Sequence, residues 1–232
     1  MRQFLAAIAL FAAFSGGTAS AQDTGTVVEL YTSQGCASCP PADAILADLA
    51  DRDGVIPLAL HVDYWDYIGW ADDLAKPAHT KRQRGYARQW NVGQVYTPQM
   101  VVAGVDDVVG SHPGKLMERL AAHAAVVDPV VITAQRADGV LTIAGQVRGR
   151  VPPLTSVQIV RYTPSLTRQI ERGENAGKTI VYRNVVTEWS TVGTWMTAQP
   201  LAMEVPLEGD APVVVIVQDG AAGPILGAVR LR

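Results

Sequence analysis

Residues 27–46 read VVELYTSQGCASCPPADAIL, and the fold expected for the chain follows from these twenty residues. The run 26–32 is rich in β-branched and aromatic residues, which is typical of a strand. The run 42–49 carries apolar residues at helical spacing, so a helix follows. The only two cysteines, Cys36 and Cys39, lie between the two runs. The stretch therefore predicts a strand, a turn that holds both cysteines, and a helix.

Strand and helix signals continue to alternate outward from this stretch as far as residue 125. The expected order is β-α-β-α-β-β-α, with further strands over 55–62, 100–103 and 106–109 and further helices over 76–90 and 111–125. After residue 128 the chain has β-rich runs separated by turn signals, over 132–136, 140–144, 157–162, 179–186, 202–207, 213–217 and 225–231. About seven strands in roughly 100 residues favour an immunoglobulin-like sandwich. We expect two domains, an α/β domain over 22–128 and an all-β sandwich domain over 129–232.

Length, charge and cysteine content exclude several classes of protein. The chain has 232 residues and a formal net charge of −3. That charge argues against a protein that binds nucleic acid or another polyanion. Two cysteines cannot build a framework of several disulfides, and a chain this long buries a core without one. The cysteine pair therefore needs another explanation.

The first 21 residues have the pattern of a secretory signal peptide. Arg2 supplies the positive charge, residues 4–14 form an apolar core, and residues 19–21 supply a small-x-small cleavage site. The apolar core has eleven residues, well short of the roughly 20 that a membrane-spanning helix needs. We expect cleavage near Ala21 and a periplasmic or secreted mature chain with no membrane insertion.

Cys36 and Cys39 form a CxxC motif at the start of the predicted helix. The positive end of a helix dipole favours a thiolate, which is the nucleophile in thiol–disulfide exchange. Cys36, nearer the turn, is the expected attacking thiol, and Cys39 is the expected resolving thiol. Half of a zinc site, a structural disulfide and a Cu(I) site made of the two thiolates remain alternatives.

A second candidate feature is the dipeptide Thr97-Pro98, directly before the predicted strand 100–103. A proline can open a strand because its missing N–H need not break the hydrogen-bond ladder. A cis bond here would form a tight turn that presents backbone to a bound chain, so we predict the cis form, with an ordinary trans proline as the alternative.

Several stretches resemble known families. The strand–CxxC–helix segment, YARQWNV at 86–92 and YTP at 96–98 are similar to a thioredoxin fold. VVELYTSQGCASCPPADAIL, HVDYWDYIGW at 61–70 and YRNVVTEW at 182–189 more closely resemble domain of unknown function 1223. The resemblance implies a secreted, thioredoxin-like fold with a C-terminal β domain and a redox role, without an established substrate. Gly35 before the motif, and Pro40 and Pro41 after it, depart from ordinary thioredoxins and put a thioredoxin-like redox potential in doubt.

Two carboxylates lie close to the motif in the sequence. Glu29, in the first strand, could accept a proton as Cys39 is activated, and a salt-bridged strand glutamate is the alternative. Asp43, one turn after Cys39, is expected to be an exposed acid of the first helical turn.

Residues 63–90 are dense in aromatic side chains, which often form binding surfaces. Tyr64, Trp65, Tyr96 and Thr97 are therefore candidate substrate-binding residues, although a structural role for the aromatics is the favoured alternative. The basic run 81–84 is expected to be a solvated helix face.

The sequence thus predicts an exported thiol–disulfide oxidoreductase. Its partners would be client proteins that carry a thiol or a disulfide. The catalytic set would be Cys36, Cys39, Pro98 and Glu29, and no organic cofactor is required because electrons pass between sulfur atoms. The alternatives are a protein-binding module without catalysis, in which the β domain recognises a partner, and a Cu(I)-handling protein.

Overall fold

The structure is a computed structural model that describes residues 22–232. Within these residues the helices are α1 (Pro40–Leu49), α2 (Pro77–Gln89) and α3 (Pro113–Ala124). The strands are β1 (Gln22–Thr32), β2 (Gly54–His61), β3 (Gln99–Val102), β4 (Asp106–Val109), β5 (Val130–Ala137), β6 (Val140–Val147), β7 (Leu154–Gln169), β8 (Thr179–Met196), β9 (Leu201–Pro206), β10 (Val213–Gln218) and β11 (Ile225–Leu231). The predicted signal peptide lies outside the described residues.

The order of helices and strands along the chain is as predicted. The segment from β1 to α3 follows the expected β-α-β-α-β-β-α order, and the seven β-rich runs after residue 128 are β5 to β11. Local sequence patterns therefore identified the elements correctly.

Six strands close into a barrel, in the order β1-β2-β8-β7-β10-β11, and the pairing of β11 with β1 completes the ring. The pairings of β1 with β2 and of β2 with β8 are parallel, and the others are antiparallel. The first residues of β1, Gln22–Thr24, pair with β11. Its later residues, Val28–Tyr31, pair with β3, which continues the sheet to β4.

This arrangement corrects the predicted fold class. A thioredoxin-like α/β domain followed by an immunoglobulin-like sandwich is wrong, because the barrel takes β1 and β2 from the first half and β7, β8, β10 and β11 from the second. Hydrophobic patterns identify a strand but not its neighbours. The lengths of β7 and β8, 16 and 18 residues, also exceed the runs recognised in the sequence. The domain boundary near 128–130 stays a prediction.

The remaining strands form a three-stranded sheet, β5-β6-β9, outside the barrel. Its apolar side chains, such as Ile132 and Ile143, pack in one cluster with Val213, Val215 and Val217 of β10. The alternate β10 residues, Val214 and Ile216, belong to the cluster inside the barrel. Strand β10 is buried at every position because it is covered on both faces.

The helices pack on different faces of β1. Val28 and Leu30 share a cluster with Leu46 of α1 and Leu116 of α3. Val27 and Tyr31, on the opposite face of β1, point into the barrel, where α2 contributes Tyr86. The two faces of β1 therefore separate the α1 side from the barrel interior. In residues 22–232, none of the helices combines the length and apolar character required to cross a membrane.

Candidate functional site

Cys36 and Cys39 are joined by a disulfide, with a Cα–Cα distance of 5.4 Å. Cys39 is the N-cap of α1, and Pro40 and Pro41 occupy its first turn, where a missing N–H costs little. Cys36 lies in the turn before the helix, and its N–H donates to the carbonyl of Ser33 at 3.1 Å. The helix therefore begins at the two prolines, with Cys36 just outside it.

Both cysteines of the disulfide are buried, although the two residues between them in the chain are exposed. Cys36 is 1% exposed and Cys39 is fully buried, but Ala37 and Ser38 between them are exposed. The hydroxyl oxygen of Ser38 lies 3.4 Å from the Sγ atom of Cys36. Cys36 is therefore the sulfur beside the exposed dipeptide and beside a side-chain hydroxyl.

A residue from the second half of the chain holds in place the turn between β1 and α1, residues 33–39, which we call the cysteine turn. Asn175, in the connection between β7 and β8, donates from Nδ2 to the carbonyl oxygens of Gln34 at 2.9 Å and Cys36 at 2.8 Å. Its Oδ1 accepts from Nζ of Lys178 at 2.8 Å. Asn175 is 1% exposed. Sequence reasoning missed it because nothing in the local sequence ties residue 175 to a turn about 140 residues earlier.

The Thr97–Pro98 bond is cis, as predicted. Gly110 N–H donates to the Pro98 carbonyl at 2.9 Å. A Cβ atom added to Gly110 would lie 3.0 Å from the Cβ atoms of both Pro98 and Ala42, so these two side chains flank the same glycine. Because Ala42 is in the first turn of α1, the cis-proline turn lies beside the start of the helix that carries Cys39.

Hydrogen bonds connect the four candidate substrate-binding residues in two pairs, Trp65 with Thr97 and, through Gln83, Tyr64 with Tyr96. Trp65 donates from Nε1 to Oγ1 of Thr97 at 2.7 Å. Gln83 of α2 accepts from the Tyr64 hydroxyl at 3.2 Å and donates to the Tyr96 carbonyl at 2.8 Å. Burial raises the pKa of Tyr64 to about 12, so its hydroxyl stays protonated at neutral pH.

The neighbouring aromatic side chains also contact the cysteine turn. Trp70 donates from Nε1 to Oε1 of Gln34 at 2.7 Å. Tyr64 and Trp65 are partly buried against the barrel cluster. Tyr67, by contrast, is 81% exposed. These aromatic side chains therefore support the surrounding structure and also form the side of the candidate site next to Thr97, here called the aromatic wall.

Glu29 is buried, but the structure does not bring it to the cysteines. It points into the barrel, on the face of β1 opposite α1. Its carboxylate accepts from Arg82 Nε at 2.7 Å and Nη2 at 2.8 Å, and from the hydroxyls of Tyr31 at 2.8 Å and Tyr86 at 2.6 Å. Glu29 is therefore a salt-bridged strand glutamate, which was the alternative to a role in proton transfer. Arg82 is accordingly not part of a solvated face.

Asp43 differs most from its sequence expectation. It is 4% exposed rather than an exposed acid of the first helical turn, and its Oδ1 accepts from the Thr32 hydroxyl at 2.8 Å. Burial raises the pKa of Asp43 to about 7, a rise that the nearby His61 and the Thr32 hydrogen bond oppose and that Asp72 reinforces. Asp43 therefore titrates near neutral pH.

His61, at the end of β2, completes this buried group. Its Nδ1 lies 2.7 Å from Oδ2 of Asp72, and its ring contacts that of Tyr182 edge-on, with 4.7 Å between centroids. Asp72 also accepts from the backbone N–H of Gln34 at 2.8 Å. The signals were present in the sequence as a histidine that ends a buried strand and as the aspartates after it, but only the fold places them beside α1.

The described residues contain no group of three or more His, Cys, Asp or Glu side chains arranged to hold a metal ion.

Comparison with known proteins supplies the family. A family model described as "Protein of unknown function (DUF1223)" matches residues 27–218. The chain belongs to this family. None of the curated proteins matches it. The match confirms the resemblance to the DUF1223 family seen in the sequence, but it does not confirm the thioredoxin-like description and adds no activity.

Solved structures share the fold of this DUF1223 protein. A crystal structure of an Agrobacterium tumefaciens protein is 32% identical, with a TM-score of 0.76, and covers 90% of this chain and 94% of that chain. This similarity supports the barrel arrangement over the α/β domain and sandwich expected from the sequence. HBP35 of Porphyromonas gingivalis is 15% identical, with a TM-score of 0.64, and covers 91% of this chain and 76% of that chain. At that identity the likeness shows the fold alone.

Proposed function

We propose that this DUF1223 protein is an exported thiol–disulfide oxidoreductase that acts on client proteins through Cys36 and Cys39. The observation that carries the proposal is the disulfide between two cysteines three positions apart, directly before α1, with the exposed Ala37-Ser38 between them. Export is part of the proposal and rests on the pattern of residues 1–21.

A purely structural role for this disulfide gains little. The bond closes a loop of four residues, which removes roughly 2 kcal/mol of unfolded-state entropy on the chain-entropy model. The described chain already has three apolar clusters and a closed barrel. A cross-link that contributes so little to stability does not by itself explain two cysteines at the start of a helix.

The surroundings favour Cys36 as the nucleophile. The Ser38 hydroxyl can donate to a Cys36 thiolate from its position 3.4 Å away, and a hydrogen bond to the charged form lowers the pKa of a thiol. The N-terminal end of α1 adds favourable electrostatics, although Pro40 and Pro41 supply no N–H groups. Cys39 is fully buried at the N-cap, so it is suited to attack Sγ of Cys36 from the protein interior.

The reaction then has two exchanges. The Cys36 thiolate attacks a client disulfide, forms a Cys36–client bond and releases one client sulfur as a thiolate. The Cys39 thiolate next attacks Sγ of Cys36, which restores the Cys36–Cys39 bond and releases the second client sulfur. The client disulfide is reduced by two electrons and the cysteine pair is oxidised by two; the same steps reversed oxidise a client dithiol. The Thr97-Pro98 turn, with Tyr64, Trp65 and Tyr96 around it, would hold the client chain.

The test compares Cys36→Ser with Cys39→Ser in redox titrations against glutathione and in turnover of a model disulfide peptide. Both variants lose the same disulfide, so a structural bond predicts equal behaviour. We expect Cys36→Ser to be inert and Cys39→Ser to accumulate a mixed disulfide with the peptide. A pair that neither titrates nor turns over would refute the proposal, and stoichiometric Cu(I) retained by the reduced protein would replace it with the metal-handling alternative.

A further inference from the structure

The outer face of α2 carries three cations that we call the basic row, Lys81, Arg84 and Arg88. Helix α2 contains four Lys or Arg residues and neither Asp nor Glu. Arg82 turns inward and pairs with Glu29, whereas the three members of the basic row are exposed. None of the three forms an ion pair with a carboxylate of the described residues. The net charge of −3 is an average over the whole chain, and the outer face of α2 departs from it locally.

Two open depressions border the basic row. The first, of about 470 Å³, is lined by all three cations and by Asp63, Tyr64, Pro77 and Thr80. The second, of about 430 Å³, lies at the C-terminal end of α2 and is lined by Arg84, Ala87, Arg88 and residues 92–95. Asp63 is the one carboxylate among these lining residues, and it accepts a hydrogen bond from the Thr80 hydroxyl. Cations therefore outnumber carboxylates in both depressions, so an anionic partner is favoured there.

The spacing of the basic row suits an extended peptide. Positions 81, 84 and 88 are three and four residues apart, so their side chains share one face of the helix. With a rise of about 1.5 Å per residue, successive cations are separated along the helix axis by about 4.5 Å and about 6 Å. In an extended chain every second side chain points the same way, at intervals of about 6.6 Å. Carboxylates at alternate positions of an extended segment can therefore pair with successive cations of the row.

The first depression is continuous with the proposed redox site. Tyr64, which lines it, is followed in the chain by Trp65. A Cβ atom added to Gly35 would lie 3.3 Å from the Cβ atom of Trp65, so Trp65 packs against the residue that precedes Cys36. The second depression reaches Val95, directly before the candidate binding residues of the cis-proline turn. A peptide that lies along the basic row therefore contacts residues that adjoin the cysteine turn.

We propose that the basic row of α2 binds an acidic, extended segment of the client protein and so selects clients with acidic residues near their disulfide. This inference rests on the proposed function. Residues 22–128 contain 14 acidic and 8 basic residues, so the rest of this half repels an acidic client. The basic row supplies the opposite field where the client docks, which raises the rate of association. Charges at the edge of an interface act mainly on that rate.

The test compares two peptides that differ only in charge. Each contains one internal disulfide, preceded by alternating Glu and Ser in one peptide and by alternating Gln and Ser in the other. Reduced protein is mixed with each peptide, quenched with acid at set times, and analysed by mass spectrometry for the Cys36–Cys39 disulfide. At about 0.01 M salt we expect the glutamate peptide to react about tenfold faster, the lower end of electrostatic steering. At about 1 M salt the screening length falls to about 3 Å, and the two rates should converge.

Charge reversal locates the effect on the molecule. In the double variant Arg84→Glu/Arg88→Glu the glutamate peptide should become the slower of the two, because the docking face then repels it. The double variant Arg148→Glu/Arg150→Glu is the matched control. It makes the same change in net charge at two exposed positions between β6 and β7, and it should keep the preference for the glutamate peptide. The same loss of preference in both double variants would show that net charge acts instead of the basic row, and would overturn the inference.

The remaining outcomes separate this inference from the proposed function. Equal rates for the two peptides in the wild-type protein would overturn the inference and leave the proposed function intact. No reaction with either peptide would overturn the proposed function. In that case calorimetric titration of the oxidised protein with a cysteine-free glutamate peptide supports the docking surface if it binds and overturns it if it does not. Binding to vesicles of phosphatidylcholine and phosphatidylglycerol through Arg84 and Arg88, without a preference for the glutamate peptide, would assign the row to anionic lipid and also overturn the inference.

Discussion

Two buried carboxylates occupy opposite sides of the layer formed by β1, and their surroundings differ sharply. Glu29, inside the barrel, accepts hydrogen bonds from Arg82, Tyr31 and Tyr86 on both carboxylate oxygens. Asp43, on the α1 side, accepts one side-chain bond from Thr32 and leaves Oδ2 without a partner.

The difference indicates different roles. Burial raises the pKa of both Tyr31 and Tyr86, so these hydroxyls remain donors to Glu29 and its charge stays compensated. A fully satisfied buried network stabilises one arrangement of the core. A carboxyl with an unpartnered oxygen and a pKa near 7 can instead gain or lose a proton under ordinary conditions. The Glu29 network therefore stabilises the core, whereas Asp43 can change its protonation state near neutral pH.

The largest effect should come from breaking the satisfied site. Arg82→Met leaves the Glu29 carboxylate buried without a cation, and the loss of one partner of a buried ion pair costs about 3–5 kcal/mol. We expect the free energy of unfolding, measured by chemical denaturation, to fall by that amount. The redox titration of the Cys36–Cys39 pair should not change in the folded protein.

The exposed pair of Arg183 with Asp51, 3.2 Å apart, is the matched control. Asp51 is largely exposed, so Arg183→Met should cost less than about 1 kcal/mol. Equal losses from the two arginine variants would show that the barrel network does not differ energetically from a surface ion pair.

The unsatisfied site should appear in the pH dependence of stability. The folded-state pKa of Asp43, about 7, lies above the ordinary aspartate pKa of 3.8, so the folded protein binds the proton more tightly. Its stabilising contribution is complete below about pH 4 and is lost as pH rises to about 7. Wild type should therefore lose up to about 4 kcal/mol relative to Asp43→Asn between pH 4 and pH 8, at 1.36 kcal/mol per pKa unit.

His79 acts in the opposite direction and has to be separated from Asp43. Burial lowers the pKa of His79 to about 4, so its contribution to stability grows with pH over about 4–6.5. His79 is present in both proteins, so the difference between wild type and Asp43→Asn removes its contribution. A difference that stays constant with pH would contradict the assignment of a raised pKa to Asp43.

A smaller effect is expected at the contact between the two halves of the chain. Asn175→Ala leaves the buried carbonyl oxygens of Gln34 and Cys36 without their donor, at a cost of about 1–3 kcal/mol. The freed turn should also expose the disulfide, so that dithiothreitol reduces it faster. Lys178→Met removes only the partner of Asn175 Oδ1 and should change both measurements less. Identical reduction rates in Asn175→Ala and wild type would show that Asn175 does not restrain the cysteine turn.

Glu29 and Asp43 also show which features of the molecule local sequence predicts and which it does not. Hydrophobic periodicity located the strands and helices, and the Thr97–Pro98 bond has the predicted cis form. Strand neighbours were not accessible, because the pairing of β2 with β8 joins residues far apart in the chain. The roles of Glu29 and Asp43 depend on which face of β1 lies inside the barrel, so closure of the barrel decides which carboxylate lies near Cys39.

The smallest effect concerns the aromatic wall of the site. Trp65→Phe removes the 2.7 Å hydrogen bond to Thr97 Oγ1 and should cost about 1 kcal/mol of stability, the net value of an ordinary hydrogen bond. Thr97→Val removes the same bond from its other partner. If this bond is the main interaction lost, the double variant should cost little more than either single variant, since the interaction can be lost only once. Additive losses in denaturation measurements would show that Trp65 and Thr97 are held independently. A shared loss in stability together with weaker binding of a model disulfide peptide would link the wall to client recognition, because the Thr97-Pro98 turn lies beside the first turn of α1.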